Sequence, residues 1–220
     1  MPQVGAHAII GFYINKFLKT KKWLYVSIIF GSILPDVDTI IVGFSILLTD
    51  INNPFTYFHR KATHSFFLVI IIYLGGMILS EIYKNQKYKN IGVGLSIGMI
   101  SHIIADTLFF FQGIYFLWPI NYQFNLWNDI YTPTLLIKKM IFTLEFLFFR
   151  IYAWILLQLS IITPAKNIWF HKPLIIWKNI MTILFIIFLV IAIMGIPGFT
   201  TLTSIAYIIS LIFAICSTWI

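Results

Sequence analysis

The stretch from residue 23 to residue 48, WLYVSIIFGSILPDVDTIIVGFSILL, is apolar except around a Pro-Asp-Val-Asp sequence near its centre. A run of about 20 apolar residues is long enough to cross the hydrocarbon core of a bilayer. Proline has no N–H to donate, and the residue before it avoids the helical conformation, so we expect a break at Pro35. The stretch therefore predicts a membrane-spanning helix that carries Asp36 and Asp38 at an internal break.

The rest of the chain has the same apolar character. Of its 220 residues, 60% are hydrophobic and 10% are charged, whereas soluble domains average about 45–50% and about 25%. The fold class predicted is therefore an all-α, polytopic transmembrane helical bundle of about six or seven membrane segments with a broken helix at Pro35. Besides the opening stretch, a short helix and five further segments are expected at residues 4–18, 64–83, 91–111, 134–162, 174–196 and 199–220.

The positive charge is concentrated between these apolar runs. The formal net charge is +8, and lysines cluster at residues 16–22, 84–89 and 166–172. Such clusters are typical of the cytoplasmic loops of membrane proteins. We therefore expect membrane lipids as the surroundings and no nucleic-acid partner. The single cysteine excludes a disulfide framework and a cysteine-based zinc site.

Histidines and acids within or at the mouths of apolar segments are the informative polar residues. A charge at the bilayer centre costs about 2.5–3.5 kcal/mol on insertion scales, so such residues usually have partners. At a rise of about 1.5 Å per residue from the first two lysine clusters, five of them lie about 18–30 Å away, in one layer toward the non-cytoplasmic side. These five residues, which come from four segments, are His7, Asp36, His64, His102 and Asp106.

The residue types in this layer point to a divalent metal. Imidazole and carboxylate are common ligands of zinc and other hydrolytic metals. His102 and Asp106 are four residues apart and share one helix face. A catalytic zinc needs three protein ligands and an open position, so seven candidates suffice for one ion with supporting residues, or for two ions. The candidate ligands are His7, Asp36, Asp38, His59, His64, His102 and Asp106.

The same residues form an ordered set of motifs, which are SILPDVD at 32–38, HRKATHS at 59–65 and GMISHIIAD at 98–106. This set resembles the LexA-regulated, membrane-bound metal-dependent hydrolase family (YdjM type) over residues 1–135, with Lys61 where the family pattern has glycine. The resemblance implies an inner-membrane protein in a family classed as metal-dependent hydrolases and distantly similar to the zinc-dependent phospholipase C and P1 nuclease group. It also implies a hydrolase core in residues 1–135, followed by C-terminal transmembrane helices in residues 136–220.

The leading hypothesis is hydrolysis of a phosphoester, in a phospholipid or another phosphodiester, by metal-activated water. Asp36 or Asp38, where it is not a ligand, would accept a proton from that water. Arg60 would hold a phosphate oxygen through its planar guanidinium.

Two other classes of function stay open on the sequence alone. Intramembrane histidines and acids also build cation pathways, as in a metal or ion transporter. Matching broken segments in two halves of the chain, which are typical of transporters, are not found here. The second class is a structural membrane protein, in which the metal would only stabilise the helix bundle. Each residue taken singly also has an ordinary interpretation, such as a buried hydrogen-bonded pair of His102 and Asp106.

Overall fold

The computed structural model describes residues 4–18, 22–48, 57–109, 111, 113–128, 130–162 and 168–218. Within these ranges, six helices are long and apolar enough to cross a membrane, and α2 and α3 together form one of them. The all-α polytopic class and the number of spans are therefore confirmed. The α-helices are α1 Val4–Leu18, α2 Lys22–Ile33, α3 Asp38–Leu48, α4 Phe66–Tyr83, α5 Gln86–Phe109, α6 Leu135–Ile162, α7 Ile168–Met194 and α8 Phe199–Ser217.

The chain divides into two compact units. Ile10–Thr132 forms one, here called the N-terminal unit. Met1–Ile9 and Pro133–Ile220 form the other, here called the C-terminal unit.

The expected helix break is a short 3-10 turn, Leu34–Val37, between α2 and α3 of the N-terminal unit. Pro35 lies within its first turn, where the missing N–H costs least. The change from α to 3-10 geometry lets one apolar span carry both of its carboxylates at the break.

Glycines set a close crossing between α2 and α5. A Cβ atom on Gly98 would meet the carbonyl oxygen of Ile28 and lie 2.5 Å from the backbone nitrogen of Ser32. On the α2 side, a Cβ atom on Gly31 would meet the backbone of Leu95. Small residues at such crossings let helix backbones approach closely in membranes. His102 is therefore carried against the end of α2, one helical turn beyond Gly98.

Helix α4 begins two residues later than the sequence predicts. A start at His64, as the apolar segment 64–83 predicts, makes Thr63 the N-cap, but the helix begins at Phe66 and Ser65 is the cap. The Ser65 hydroxyl accepts the N–H of Phe67 at 3.1 Å. The predicted cap is wrong because His64 belongs to a preceding 3-10 turn and the Thr63 hydroxyl donates to Asp38.

The aromatic-rich segment after α5 is irregular where it is described, apart from one antiparallel bridge between Ile114 and Phe124. Its backbone is hydrogen-bonded to the segment that precedes α4. The Tyr115 N–H donates to the carbonyl of Arg60 at 3.1 Å, and the Phe66 N–H donates to the carbonyl of Phe116 at 2.9 Å. This irregular segment thus supports the residues that lead into α4.

In the C-terminal unit, α6 packs against α7 and α8. Buried aromatic rings of Phe146, Phe149 and Tyr152 form much of the contact surface of α6. Buried Glu145 accepts the backbone N–H of Gly5 at 2.7 Å, in the first turn of α1. A carboxylate at that position satisfies a helix N-terminal donor and complements the helix dipole.

Candidate metal centre

Five of the seven predicted ligands lie together in the N-terminal unit, and each is at most 3% exposed. They come from three places in this unit: one residue from the 3-10 turn after α2, two from the segment before α4, and two from successive turns of α5. We call these five residues the metal centre: Asp36, His59, His64, His102 and Asp106.

The nitrogen and oxygen atoms of the centre face one another at ligand spacing. Asp36 Oδ1 lies 3.7 Å from His102 Nε2, 3.8 Å from His64 Nε2 and 4.0 Å from His59 Nε2. Asp106 Oδ2 lies 3.5 Å from His64 Nε2, which in turn is 3.2 Å from His102 Nε2. Ligands at zinc distances in a tetrahedral site are about 3.3 Å apart, so these separations fit one small divalent cation. One ligand atom from each of Asp36, His59 and His64 lies within 4.8 Å of the other two.

Hydrogen bonds on the far side of two imidazole rings fix their tautomers. His59 Nδ1 lies 2.7 Å from Asp38 Oδ1, and His102 Nδ1 lies 2.8 Å from the carbonyl oxygen of Ser32. An ionised carboxylate and a carbonyl can only accept, so both Nδ1 atoms carry the proton. Both Nε2 atoms then present lone pairs to the centre, as metal-binding histidines do.

The carbonyl of Ser32 lies beside the helix break. Ser32 is in the last turn of α2, and the 3-10 turn that contains Pro35 begins two residues later. The last carbonyls of an α-helix lack intrahelical N–H partners, so the Ser32 carbonyl can accept from His102. The end of α2 therefore orients a ligand on another helix next to the carboxylates of the break.

The tautomer of His64 follows from the hydroxyl of Thr63. This hydroxyl lies 2.7 Å from Asp38 Oδ2 and 3.0 Å from His64 Nδ1. Its single proton goes to the carboxylate, so it accepts the Nδ1–H of His64. The three Nε2 atoms, each with a lone pair, therefore lie within 4.0 Å of Asp36 Oδ1, an arrangement that a cation between them would stabilise.

Burial keeps the two histidines before α4 in their neutral, ligating form. It lowers the pKa of His64. It also lowers the pKa of His59 well below its usual value, and the neighbouring Arg60 guanidinium lowers it further. At neutral pH these imidazoles are uncharged, as metal coordination requires.

Buried acids outnumber buried cations at the centre. Asp36, Asp38 and Asp106 contribute three negative charges when ionised, and the buried Arg60 beside them contributes one positive charge. With neutral imidazoles the set carries a net charge of minus two. Buried charges are costly unless they are compensated, and one divalent cation would balance this set.

Asp36 shows the need for a further partner most clearly. Its side chain is 1% exposed, and neither carboxylate oxygen has a hydrogen-bond partner among the described residues. Buried carboxylates in native proteins are normally paired or bound to a metal. The donor set and this carboxylate therefore fit a divalent metal ion.

Arg60 lies beside the centre in an unusual backbone conformation. Its φ is +63°, in the left-handed region that residues other than glycine rarely adopt. Its N–H donates to Asp38 Oδ2 at 3.2 Å, and its guanidinium Nη2 lies 3.4 Å from Asp106 Oδ2. These contacts hold a buried cation next to a candidate ligand.

Two of the seven predicted ligands, Asp38 and His7, are not counted in this set of five. Asp38 contacts the Nδ1 side of the imidazoles, which favours an orienting role over the ligand role expected from the sequence. His7 is buried on α1 and belongs to the C-terminal unit. Its role as a ligand stays a prediction.

Replacing Asp38 with asparagine should weaken metal binding by about 10- to 100-fold, as loss of an orienting group typically does. An asparagine side chain has one acceptor oxygen and cannot receive both the His59 Nδ1–H and the Thr63 hydroxyl. Competition with a chelating dye measures the affinity. The control is Glu81→Gln, which removes an exposed acid that pairs with Lys84. Unchanged affinity in Asp38→Asn would contradict the orienting role.

Neither a curated protein nor a solved structure matches the chain. The family model described as YdjM inner membrane protein matches residues 1–220. The match extends the resemblance of the motifs past residue 135 into the C-terminal helices. It also agrees with the six candidate membrane spans. The chain belongs to the family of YdjM inner membrane proteins.

Proposed function

We propose that the protein is a membrane-bound hydrolase that uses one divalent metal ion, zinc by its ligand types, to cleave a phosphoester. The observation that carries the proposal is that three imidazole Nε2 atoms lie within 4.0 Å of Asp36 Oδ1, with Asp106 Oδ2 3.5 Å from one of them. When bound, such an ion polarises a phosphoryl oxygen and lowers the pKa of water.

The carboxylates have different tasks in this proposal. Both oxygens of Asp38 are used in orienting His59, Thr63 and the Arg60 backbone. Asp36 has no such hydrogen bonds within the described part of the chain. It is therefore the carboxylate that can bind the ion or accept a proton from water. The centre has five donors, whereas a catalytic zinc uses three. Asp36 therefore need not be a ligand and can accept the proton.

Two cations in the segment before α4 favour an anionic substrate. The Arg60 guanidinium lies at the centre. The Lys61 ammonium lies 5.0 Å from the ring centroid of Tyr57 and 5.7 Å from that of Tyr115, where cation–π attraction holds it. A planar guanidinium and an adjacent ammonium suit the oxygens of a phosphoryl group.

The position of the centre in the N-terminal unit favours a substrate at the membrane surface. Lys87 lies 3.9 Å from the ring centroid of Trp23, so the lysine-bearing ends of α2 and α5 are at one end of this unit. Asp36 and Asp106 lie toward the other ends of the same two segments. With the lysines cytoplasmic, the centre faces the non-cytoplasmic headgroup layer, where phospholipids present phosphodiesters.

The direct test is a hydrolysis screen of purified, zinc-loaded protein. The substrates are bis-p-nitrophenyl phosphate, p-nitrophenyl phosphate and phospholipid vesicles. Turnover that disappears in Asp36→Asn and persists in Glu81→Gln supports the proposal. Metal flux in proteoliposomes without hydrolysis would support a transporter instead. Unfolding on metal removal, with no hydrolysis of any substrate, would support a purely structural metal.

Arg60→Lys should keep the charge and lose the planar guanidinium. We expect kcat/KM for an active phosphoester to fall about 100- to 1,000-fold, the range seen when one transition-state donor is removed. Metal content should stay near one ion per chain, since Arg60 is not a ligand. Steady-state kinetics and elemental analysis on the same preparation separate these effects. Full turnover in Arg60→Lys would show that the guanidinium does not contact the reacting phosphate.

A further inference from the structure

Arg150 places a positive charge on the surface of a candidate membrane span in the C-terminal unit. It is exposed and lies in α6, about 18 Å before the helix ends at Ile162. Its Nε–H donates to Thr182 Oγ1 of α7 at 2.9 Å. The guanidinium has no other acceptor among the described residues, so both of its terminal NH2 groups are available to a ligand. Charged side chains within a span usually have a partner.

Lys178 adds a second cation to the same surface. It precedes Thr182 by one helical turn, so the two side chains share a face of α7, and its carbonyl accepts the Thr182 hydroxyl at 3.0 Å. The Thr182 oxygen is thereby turned with a lone pair toward Arg150, which holds the guanidinium at the contact of α6 and α7. We call these three residues the basic surface: Arg150, Lys178 and Thr182.

The C-terminal unit has no carboxylate to pair with the basic surface. Its one acid, Glu145, is buried and accepts the Gly5 N–H. A second copy of the chain is a poor partner, because the one exposed acid among the described residues, Glu81, already pairs with Lys84 at the end of α4. Charge complementarity therefore requires an anion from outside the chain. The lysines and arginine of the unit are Lys138, Lys139, Arg150, Lys166, Lys172 and Lys178.

The basic surface lies just inside the polar edge of the span. Residues 168–178 of α7 contain two tryptophans, one histidine and two lysines, whereas residues 183–194 contain neither a charge nor a tryptophan. Tryptophans and basic residues mark the headgroup level of a membrane helix. Thr182 is one turn, about 5.4 Å, deeper than Lys178. A long basic side chain covers such a distance to reach the headgroups, where phospholipids carry their phosphates.

We propose that the basic surface binds the phosphate of an anionic phospholipid at this edge of the membrane. The Arg150 guanidinium donates from its two NH2 groups to two phosphate oxygens, and the Lys178 ammonium compensates the remaining negative charge. Basic residues between membrane helices form sites of this kind for anionic headgroups. The site belongs to the C-terminal unit and does not depend on the metal chemistry.

Native mass spectrometry of the full-length protein in detergent micelles tests this proposal. The probes are phosphatidylglycerol, which is anionic, and phosphatidylcholine with the same acyl chains, which has no net charge. Wild type should bind phosphatidylglycerol more tightly. Arg150→Gln should weaken that binding about tenfold, the effect of one hydrogen bond to a charged group, and leave phosphatidylcholine binding unchanged. Lys84→Gln removes an exposed cation of the N-terminal unit; it is the matched control and should behave as wild type.

Thr182→Val decides the matter if Arg150→Gln does not fold. It keeps the charge and the side-chain shape, removes the acceptor of the Arg150 Nε–H, and should weaken phosphatidylglycerol binding about fivefold. Equal affinity of wild type for the two lipids would overturn the proposal, as would wild-type lipid binding in a folded Arg150→Gln. Displacement of the lipid by excess inorganic phosphate would overturn it in favour of a soluble anion. Preference for a leucine-rich helical peptide with a central glutamate over phosphatidylglycerol would overturn it in favour of a protein partner.

Discussion

Replacing His102 with alanine is expected to lower bound divalent metal from about one ion per chain to less than a tenth of that, because ligand number determines zinc affinity. His102 Nε2 lies 3.2 Å from His64 Nε2, and its Nδ1 is fixed by the Ser32 carbonyl. Alanine removes the ligand and leaves that carbonyl without its donor. Elemental analysis of purified protein measures the loss.

His171→Ala is the matched control for this experiment. His171 lies in α7 of the C-terminal unit, outside the metal centre. Its replacement should leave metal content at the wild-type value. Metal content at the wild-type level in His102→Ala, with the protein still folded, would remove His102 from the ligand set.

Adding a single methyl group at Gly98 should have the second large effect. The Cβ atom of Gly98→Ala would meet Ile28 and Ser32 of α2. Overpacking of this kind costs about 1–3 kcal/mol, which is larger than the gain of up to about 1 kcal/mol in helix propensity. We expect a fall in Tm of several degrees and weaker metal binding, since α2 and His102 are pushed apart.

Gly75→Ala, in the neighbouring helix α4, should not lower Tm as Gly98→Ala does. A Cβ atom on Gly75 in α4 has no atom within 4 Å among the residues that the structure describes. The substitution should therefore leave Tm unchanged or raise it slightly through helix propensity. Thermal unfolding of both variants in the same detergent decides the matter. If Gly98→Ala behaved like Gly75→Ala, the close crossing of α2 and α5 would not be what positions His102.

The fold class was readable from sequence because apolar run length is a direct signal in membrane proteins. The break at Pro35 was also readable, since proline acts on the backbone locally. The start of α4 was not. Ser65 and Thr63 are both good N-caps, and the tertiary contact of Thr63 with Asp38 decides between them.

The candidate site was predictable in its members and not in their roles. Counting residues along helices places Asp36, His102 and Asp106 in one layer, and the structure brings them together in the N-terminal unit. Distance along a helix does not reveal which side of an imidazole faces a carboxylate. Asp38 therefore looked like a ligand, although its contacts are with His59 Nδ1 and Thr63.

One contributor could have been found from sequence and was missed. The backbone carbonyl of Ser32 lies in the last helical turn before the break at Pro35, where helix carbonyls lack intrahelical N–H partners. The identity of its new partner, His102, depends on the crossing at Gly98 and needed the structure.

The central claim is that three histidines of the N-terminal unit bind one divalent metal ion through Nε2. X-ray absorption at the metal edge of purified wild-type protein tests it most directly. The predicted spectrum shows nitrogen and oxygen ligands at about 2.0–2.2 Å, with the outer-shell scattering of three imidazole rings. A metal-loaded sample whose spectrum lacks imidazole scattering, or a protein that binds no divalent metal, would contradict the claim.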